Sequence, residues 1–191
     1  ELTGEKTYRY GLNKCYKLVN NINLKDGVNN TGYWLPLGYL NESKENFAGF
    51  TGRFDGSGYT IYNVTVDLNS YNDAILSTEK PDLSTVDFKN AGFFSKVGVG
   101  GRVYNVKFEN FNVRQNLNEV EYKNISVNNL RSYETVGAVA GVNYGTIERV
   151  EVKQGAAGNA LFDIQTEAVA KDGLTIAPDK VVSIGGIVGV N

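Results

Sequence analysis

The 191-residue chain has no histidine, no methionine, three prolines and one cysteine. Without histidine there is no Ser-His-Asp or Cys-His relay, no HExxH zinc helix and no imidazole proton shuttle, so most hydrolytic chemistries are closed. Cys15 has no partner for an internal disulfide and no CxxC neighbour for metal or redox work, and the expectation is a small, partly buried thiol. The stretch Leu12-Asn13-Lys14-Cys15 is not a lipoprotein signal, because polar and charged residues precede it where an apolar segment would stand. Charge of either sign is also scarce in excess. Lys plus Arg number 19 against 21 Asp plus Glu, a formal net charge of −2, which leaves no basic field for nucleic acid or an anionic membrane surface. Long apolar runs are missing too. The longest, Val136 to Val142, reads VGAVAGV, far below the roughly 20 residues of a membrane-crossing helix, so no membrane insertion by this segment is expected. No signal peptide precedes Glu1, as expected of a processed chain or of an excerpt from a longer one.

What is present points to β-structure. Hydrophobic residues make up 41% and aromatics 12%, enough for one full core, so one domain is the default. Glycine numbers 22 and asparagine is about as frequent, a turn-rich profile. Apolar spacing is two, or three across a bend, with β-branched and aromatic residues dominant. Helical periodicity is absent.

Self-comparison is the most informative step. Val136-Gly137-Ala138-Val139-Ala140-Gly141-Val142-Asn143 reappears as Ile184-Gly185-Gly186-Ile187-Val188-Gly189-Val190-Asn191, a displacement of 48, and Ala91-Gly92-Phe93-Phe94-Ser95 is a looser copy displaced by 45. A second element, apolar-x-x-Val-x-apolar, begins at Ile61, Val103 and Ile147. Short turns separate the elements: Asp55-Gly56-Ser57-Gly58, Gly98-Val99-Gly100-Gly101 and Asn143-Tyr144-Gly145-Thr146. Segments that recur about every 45 residues suit parallel stacking of like strands. That register predicts three inward columns: Ile61/Val103/Ile147, Val64/Val106/Val150 and Val66/Phe108/Val152. Asn63 and Asn105 fall where the strand must bend, with amides placed to hydrogen-bond between levels, and Arg149 departs from the pattern. Outward, Lys107 faces Glu151 and Glu109 faces Lys153 at about 4.8 Å strand spacing, whereas Asp67 above Glu109 fits less well.

Three variable stretches interrupt the repeats, at 69–90, 114–135 and 155–183. They leave the unit at the same point, so stacking places them on one side, often the binding side of a solenoid. Short alternations within them, Ile125-Ser126-Val127 and Leu161-Phe162-Asp163-Ile164, predict partial order.

These residues resemble the GLUG-type repeats of bacterial secreted and surface proteins. The resemblance begins at Tyr16 to Leu24, continues through Trp34-Leu35-Pro36-Leu37-Gly38 and Phe50 to Ile61, and runs through the GxVxGxN and GTI elements. It implies a right-handed parallel β-helix (a β-solenoid) over residues 1–191, with 1–46 as entry or capping coil and 47–191 as repeat coils. The first copy carries Thr51-Gly52 where later ones have paired apolar residues, which predicts a distorted opening coil. The resemblance implies a secreted or cell-surface location and a non-catalytic stalk or adhesive role, with a host-surface protein or glycan as partner. Two alternatives remain: a substrate-positioning region of a larger secreted enzyme such as an IgA1-type metalloprotease, and a polysaccharide-active β-helix enzyme working with carboxylates alone. The last copy stops at Asn191, before the turn and strand that follow in earlier units, so further repeats or other domains of the same polypeptide, or another chain, are expected to cover 184–191.

Four tyrosines are the candidate ligand-binding residues. Tyr62 and Tyr104 are assigned to one outward column, with Tyr59 adjacent and Tyr144 nearby, and a row of rings would stack sugar faces. A ladder that merely stabilises the sheet accounts for the same residues, and is the commoner use. Asp55 to Gly58 supplies one carboxylate where calcium loops supply several, so it reads as a glycine turn. The carboxylate pairs Glu148/Glu151 and Asp67/Glu109 read as solvated surface, and no catalytic, metal or cofactor site is assigned. The sequons at Asn29, Asn41, Asn63 and Asn124 carry no meaning in a bacterial context.

Overall fold

A computed structural model describes residues 11–25, 32–38, 48–67, 90–115, 134–154, 161–165, 168–169, 175–176 and 182–191. The described elements are strands: β1 (Cys15–Lys17), β2 (Ile22–Asn23), β3 (Arg53–Asp55), β4 (Thr60–Asp67), β5 (Asn90–Ala91), β6 (Phe94–Val97), β7 (Arg102–Gln115), β8 (Thr135–Gly137), β9 (Ala140–Asn143), β10 (Thr146–Lys153), β11 (Phe162–Ile164), β12 (Ala168–Val169), β13 (Thr175–Ile176), β14 (Ser183–Gly185) and β15 (Val188–Val190). The protein is all-β, and three of its four sheets are parallel. The seven-stranded sheet runs β1-β3-β7-β4-β2, with β10 and β11 also on β7, while β14-β8-β5 and β15-β9-β6 form two three-stranded sheets. Among the described residues, only β12 and β13 pair antiparallel, inside the third variable stretch.

Each parallel ladder joins like segments from successive levels. Tyr16, Phe54, Val103 and Ile147 follow one another in register, as do Ile22, Ile61, Phe108 and Val152. The 48-residue displacement holds as pairings, Val136 on Ile184 and Ala140 on Val188, and the 45-residue one holds for Ala91 on Val136, while Phe94 lies one place further along, on Ala140. Leu37 bridges Phe94, Phe50 bridges Val97 and Tyr33 bridges Thr65, so described residues of 1–46 sit in the same ladders as the rest.

Local geometry explains how strands this long turn corners. In β7 the buried positions alternate until Asn105 and Asn110, where the spacing becomes three: Val103 to Val106, and Phe108 to Phe111. Both asparagines hold left-handed φ angles, 55° and 56°, as does Asn63 at 59°. Asparagine tolerates this region better than other side chains, and one such residue redirects the chain without ending the ladder. The side chains then tie levels together: Asn63 Nδ2 donates to Asn23 Oδ1, and Asn110 Nδ2 donates to Asn63 Oδ1. Asn143 Nδ2 likewise donates to Asn191 Oδ1 at 2.6 Å.

The core fills the space between these ladders. Phe93 is its centre, with Trp34 stacked on it at 4.4 Å between ring centroids and Phe108 at 5.1 Å. Phe94 packs on Phe50 at 4.8 Å, and Phe108 meets Phe111 edge-on at 5.6 Å. Such pairs contribute about 0.5–1.5 kcal/mol beyond area burial. The Trp34 indole N–H donates to the Phe93 carbonyl, so the only tryptophan buries its ring without stranding its donor.

The structure corrects the register of the first repeat. Val103, Val106 and Phe108 do lie on Ile147, Val150 and Val152, but Ile61 pairs with Phe108, Val64 with Phe111 and Val66 with Val113. Two causes combine. Phe108-Glu109-Asn110-Phe111-Asn112-Val113 has the same Asn-cornered pattern as Ile61 to Val66, with Phe111 where the other copies have valine. In addition, the chain between Phe54 and Thr60 holds two more residues than the chain it lies on, between Val103 and Lys107. Gly56 makes that excess possible, because a Cβ there would collide with Val106 and the Asn105 carbonyl.

Other expectations shift accordingly. Asp67 lies beside Arg114 and not Glu109, and its carboxylate accepts from the Arg114 guanidinium at 3.4 Å. The turn at Asp55 to Gly58 is not equivalent to that at Gly98, whose neighbour in the preceding level is Phe50 to Gly52, nor to that at Asn143, which lies on the Gly98 turn. Thr51 and Gly52 lie outside the strands, with both of their N–H groups donating to the Leu12 carbonyl, and a second irregularity falls at 55–59. Cys15 is exposed and not partly buried: β1 stands at the end of the sheet order, and all three of its residues are exposed. The third variable stretch is not one excursion, since Phe162–Ile164 returns to pair with Val113–Gln115. Ile125-Ser126-Val127 lies outside the described residues.

Candidate functional site

A second corner, one step earlier in each level than the Asn63 corner, carries the most chemistry. Ser57, Asn105 and Arg149 occupy it in successive levels, all left-handed at 52°, 55° and 51°. Asp55 Oδ1 accepts the Ser57 backbone N–H at 2.8 Å and lies 3.4 Å from Asn105 Nδ2. Asn105 Oδ1 in turn accepts Arg149 Nε at 2.6 Å, and Arg149 Nη2 reaches Glu148 Oε1 at 3.4 Å. Glu148 also accepts from Arg102, whose guanidinium lies over the Tyr104 ring at 5.2 Å. Arg149, which looked out of place at an asparagine position, is therefore the top of a polar ladder.

These side chains border an open cavity of about 660 Å³, lined among others by Asp55, Ser57, Asn105, Lys107, Arg149 and Glu151. Its volume falls in the range of small-ligand sites, though its lining is more polar than most. The backbone N–H of Ser57 holds the Asp55 carboxyl below its ordinary value of 3.8, with Asn105 and Lys17 adding to the same direction, so Asp55 is a carboxylate near neutral pH. Lys107 and Glu151 pair in register, as expected, but the Glu151 carboxylate goes to Lys153 Nζ at 3.1 Å. That contact raises the Lys153 ammonium above its ordinary 10.5. Ser57 Oγ is buried without a hydrogen-bond partner.

The four tyrosines do not form the expected row. Tyr62 lies on Glu109, in the column Asn23, Tyr62, Glu109 and Lys153, whereas Tyr104 lies between Asp55 and Glu148 on the preceding side of the corner. The register shift that moved Ile61 separates them. Tyr59 packs against the core, and Tyr144 projects from its turn with Lys96 Nζ 5.1 Å from its ring. Of the paired carboxylates, Glu148 and Glu151 each hold a cation, and Asp67 and Glu109 belong to different columns. Sequence reading missed Arg149 and Lys107 as partners in one groove; the usable signal was the third-place asparagine, which aligns Asn63 with Asn110 and leaves Asn105 to Asp55 and Arg149.

The variable stretches leave and return in register. Asp67, Arg114 and Asp163 are neighbours where the chain departs, and Asn90, Thr135 and Ser183 are neighbours where it re-enters. No family model, curated protein or solved structure matches the chain.

Proposed function

We propose that the chain is a right-handed parallel β-helix of the GLUG-repeat type, serving as a non-catalytic module of a bacterial secreted or cell-surface protein. Its role is to hold a binding surface, made of the variable stretches and outward polar side chains, against a host-surface protein or glycan. The observation that carries this reading is the alignment of exits and re-entries. Asp67, Arg114 and Asp163 form one vertical row where the chain leaves the ladders, and Asn90, Thr135 and Ser183 form another where it re-enters, so three segments that share no sequence pattern have their ends gathered on two rows of a common ladder. Parallel stacking of like segments across four levels supports the β-helix itself.

The test is binding by the intact chain to a glycan array and a panel of extracellular-matrix proteins. Variants with 69–89 or 116–133 replaced by short Gly-Ser linkers are run beside it. The expected result is capture by the intact chain and altered selectivity in the variants, with an unchanged far-UV spectrum. A chain that captures nothing on either panel ends the adhesive reading.

A further inference from the structure

We infer that the groove at the Asp55–Asn105–Arg149 corner binds an acidic sugar, a hexuronate unit of a polysaccharide, with its carboxylate between Lys107 and Arg149 and its hydroxyls on Asp55. This deepens the proposed binding role and rests on it. Two cations border the groove: Arg149, which shares Glu148 with Arg102, and Lys107, which the nearest carboxylate does not neutralise. Lys107 lies directly beside Glu151, yet Glu151 is drawn to Lys153, and among the described residues the Lys107 ammonium has no ion-pair partner. Arg149 spends Nε on Asn105 and Nη2 on Glu148, and among the described residues its Nη1 donates to no acceptor. A planar anion is the natural acceptor for such an arrangement.

The remaining lining asks for hydroxyl groups. Asp55 is an ionised acceptor with one oxygen committed to its own turn, and it lines the groove beside the Asn105 amide. Besides Gly58, Val150 is the one apolar residue there, so an apolar ligand would strand these polar groups without a partner. A ligand with one carboxylate and several hydroxyls satisfies both sets, and the volume of about 660 Å³ admits a short oligosaccharide. Asn105 is a positioning residue, since both ends of its amide brace Asp55 and Arg149.

The experiment is calorimetric titration of the full chain with trigalacturonate, with neutral galactotriose and inorganic sulfate as comparisons. The expected result is saturable binding of the trigalacturonate, at least tenfold weaker binding of the other two, and at least tenfold loss in Lys107→Ala. Lys107 is exposed, so this variant retains the fold; Arg149→Lys, which keeps the charge but not the fork, is expected to lose affinity to a smaller degree. Equal binding of sulfate or of the neutral sugar, unchanged affinity in Lys107→Ala, or no heat with trigalacturonate would each overturn the assignment. Failure here with capture retained on the glycan or matrix panels removes the groove while leaving the wider adhesive reading standing.

Discussion

Single asparagines decide where this chain turns. Asn63 combines a left-handed backbone with amide contacts to both neighbouring levels, so two costs meet at one position. Asn63→Ala should destabilise the protein by about 1.5–3 kcal/mol in urea unfolding, the sum of a strained backbone and lost hydrogen bonds. Asn63→Gly should cost only about 1 kcal/mol, because glycine accepts that φ angle. Equal losses would show that the corner is held by something other than backbone geometry. Asp55 adds a pH term. Its folded-state pKa is depressed by the Ser57 N–H, so its contribution is present above the unfolded value of 3.8 and disappears as pH falls through the lower, folded value. Asp55→Asn should therefore lower stability at pH 7, match the unmodified protein at acid pH where that contribution is already gone, and so flatten the limb below about pH 4.

Among strands, register is set by which side chains can share a column, and charge offers a direct check. Asp67 is nearly buried and lies beside Arg114, with Asp163 on the far side at 3.9 Å. A double-mutant cycle on Asp67 and Arg114 should return a coupling of about 0.5–1 kcal/mol, and the same cycle on Asp67 and Glu109 should return none. The reverse outcome would restore the register read from valine spacing. That misreading is instructive. The glycine-rich element was legible because its small residues recur at fixed places, and its displacements of 45 and 48 became hydrogen-bonded ladders. The apolar element was ambiguous because it occurs on two successive faces of a level, and Phe111 disguised the closer match. No spacing rule announced the two extra residues at 55–59, which only steric fit between Gly56 and Val106 accommodates.

At the level of the whole molecule, β7 is the strand on which the rest depends. It pairs with β3 and β4 below and with β10 and β11 above, so its buried side chains support every level of the large sheet. Phe108→Ala should cost about 3–5 kcal/mol and shift the entire thermal transition, followed by circular dichroism, not a separable part of it. Two resolved transitions would mean that the levels unfold independently. The groove was the least legible feature because it is assembled from residues 55, 105 and 149, whose types differ and whose nearness depends on the corner lying in register.

The pair of surplus residues near Gly56 has one more implication. Codons can be gained or lost at such a bend while every neighbour above and below is inherited unchanged, whereas the same event mid-strand would invert the facing of all residues as far as the following bend. Bends are thus where a gene of this kind is free to lengthen, and where new surface can be acquired without renegotiating the interior.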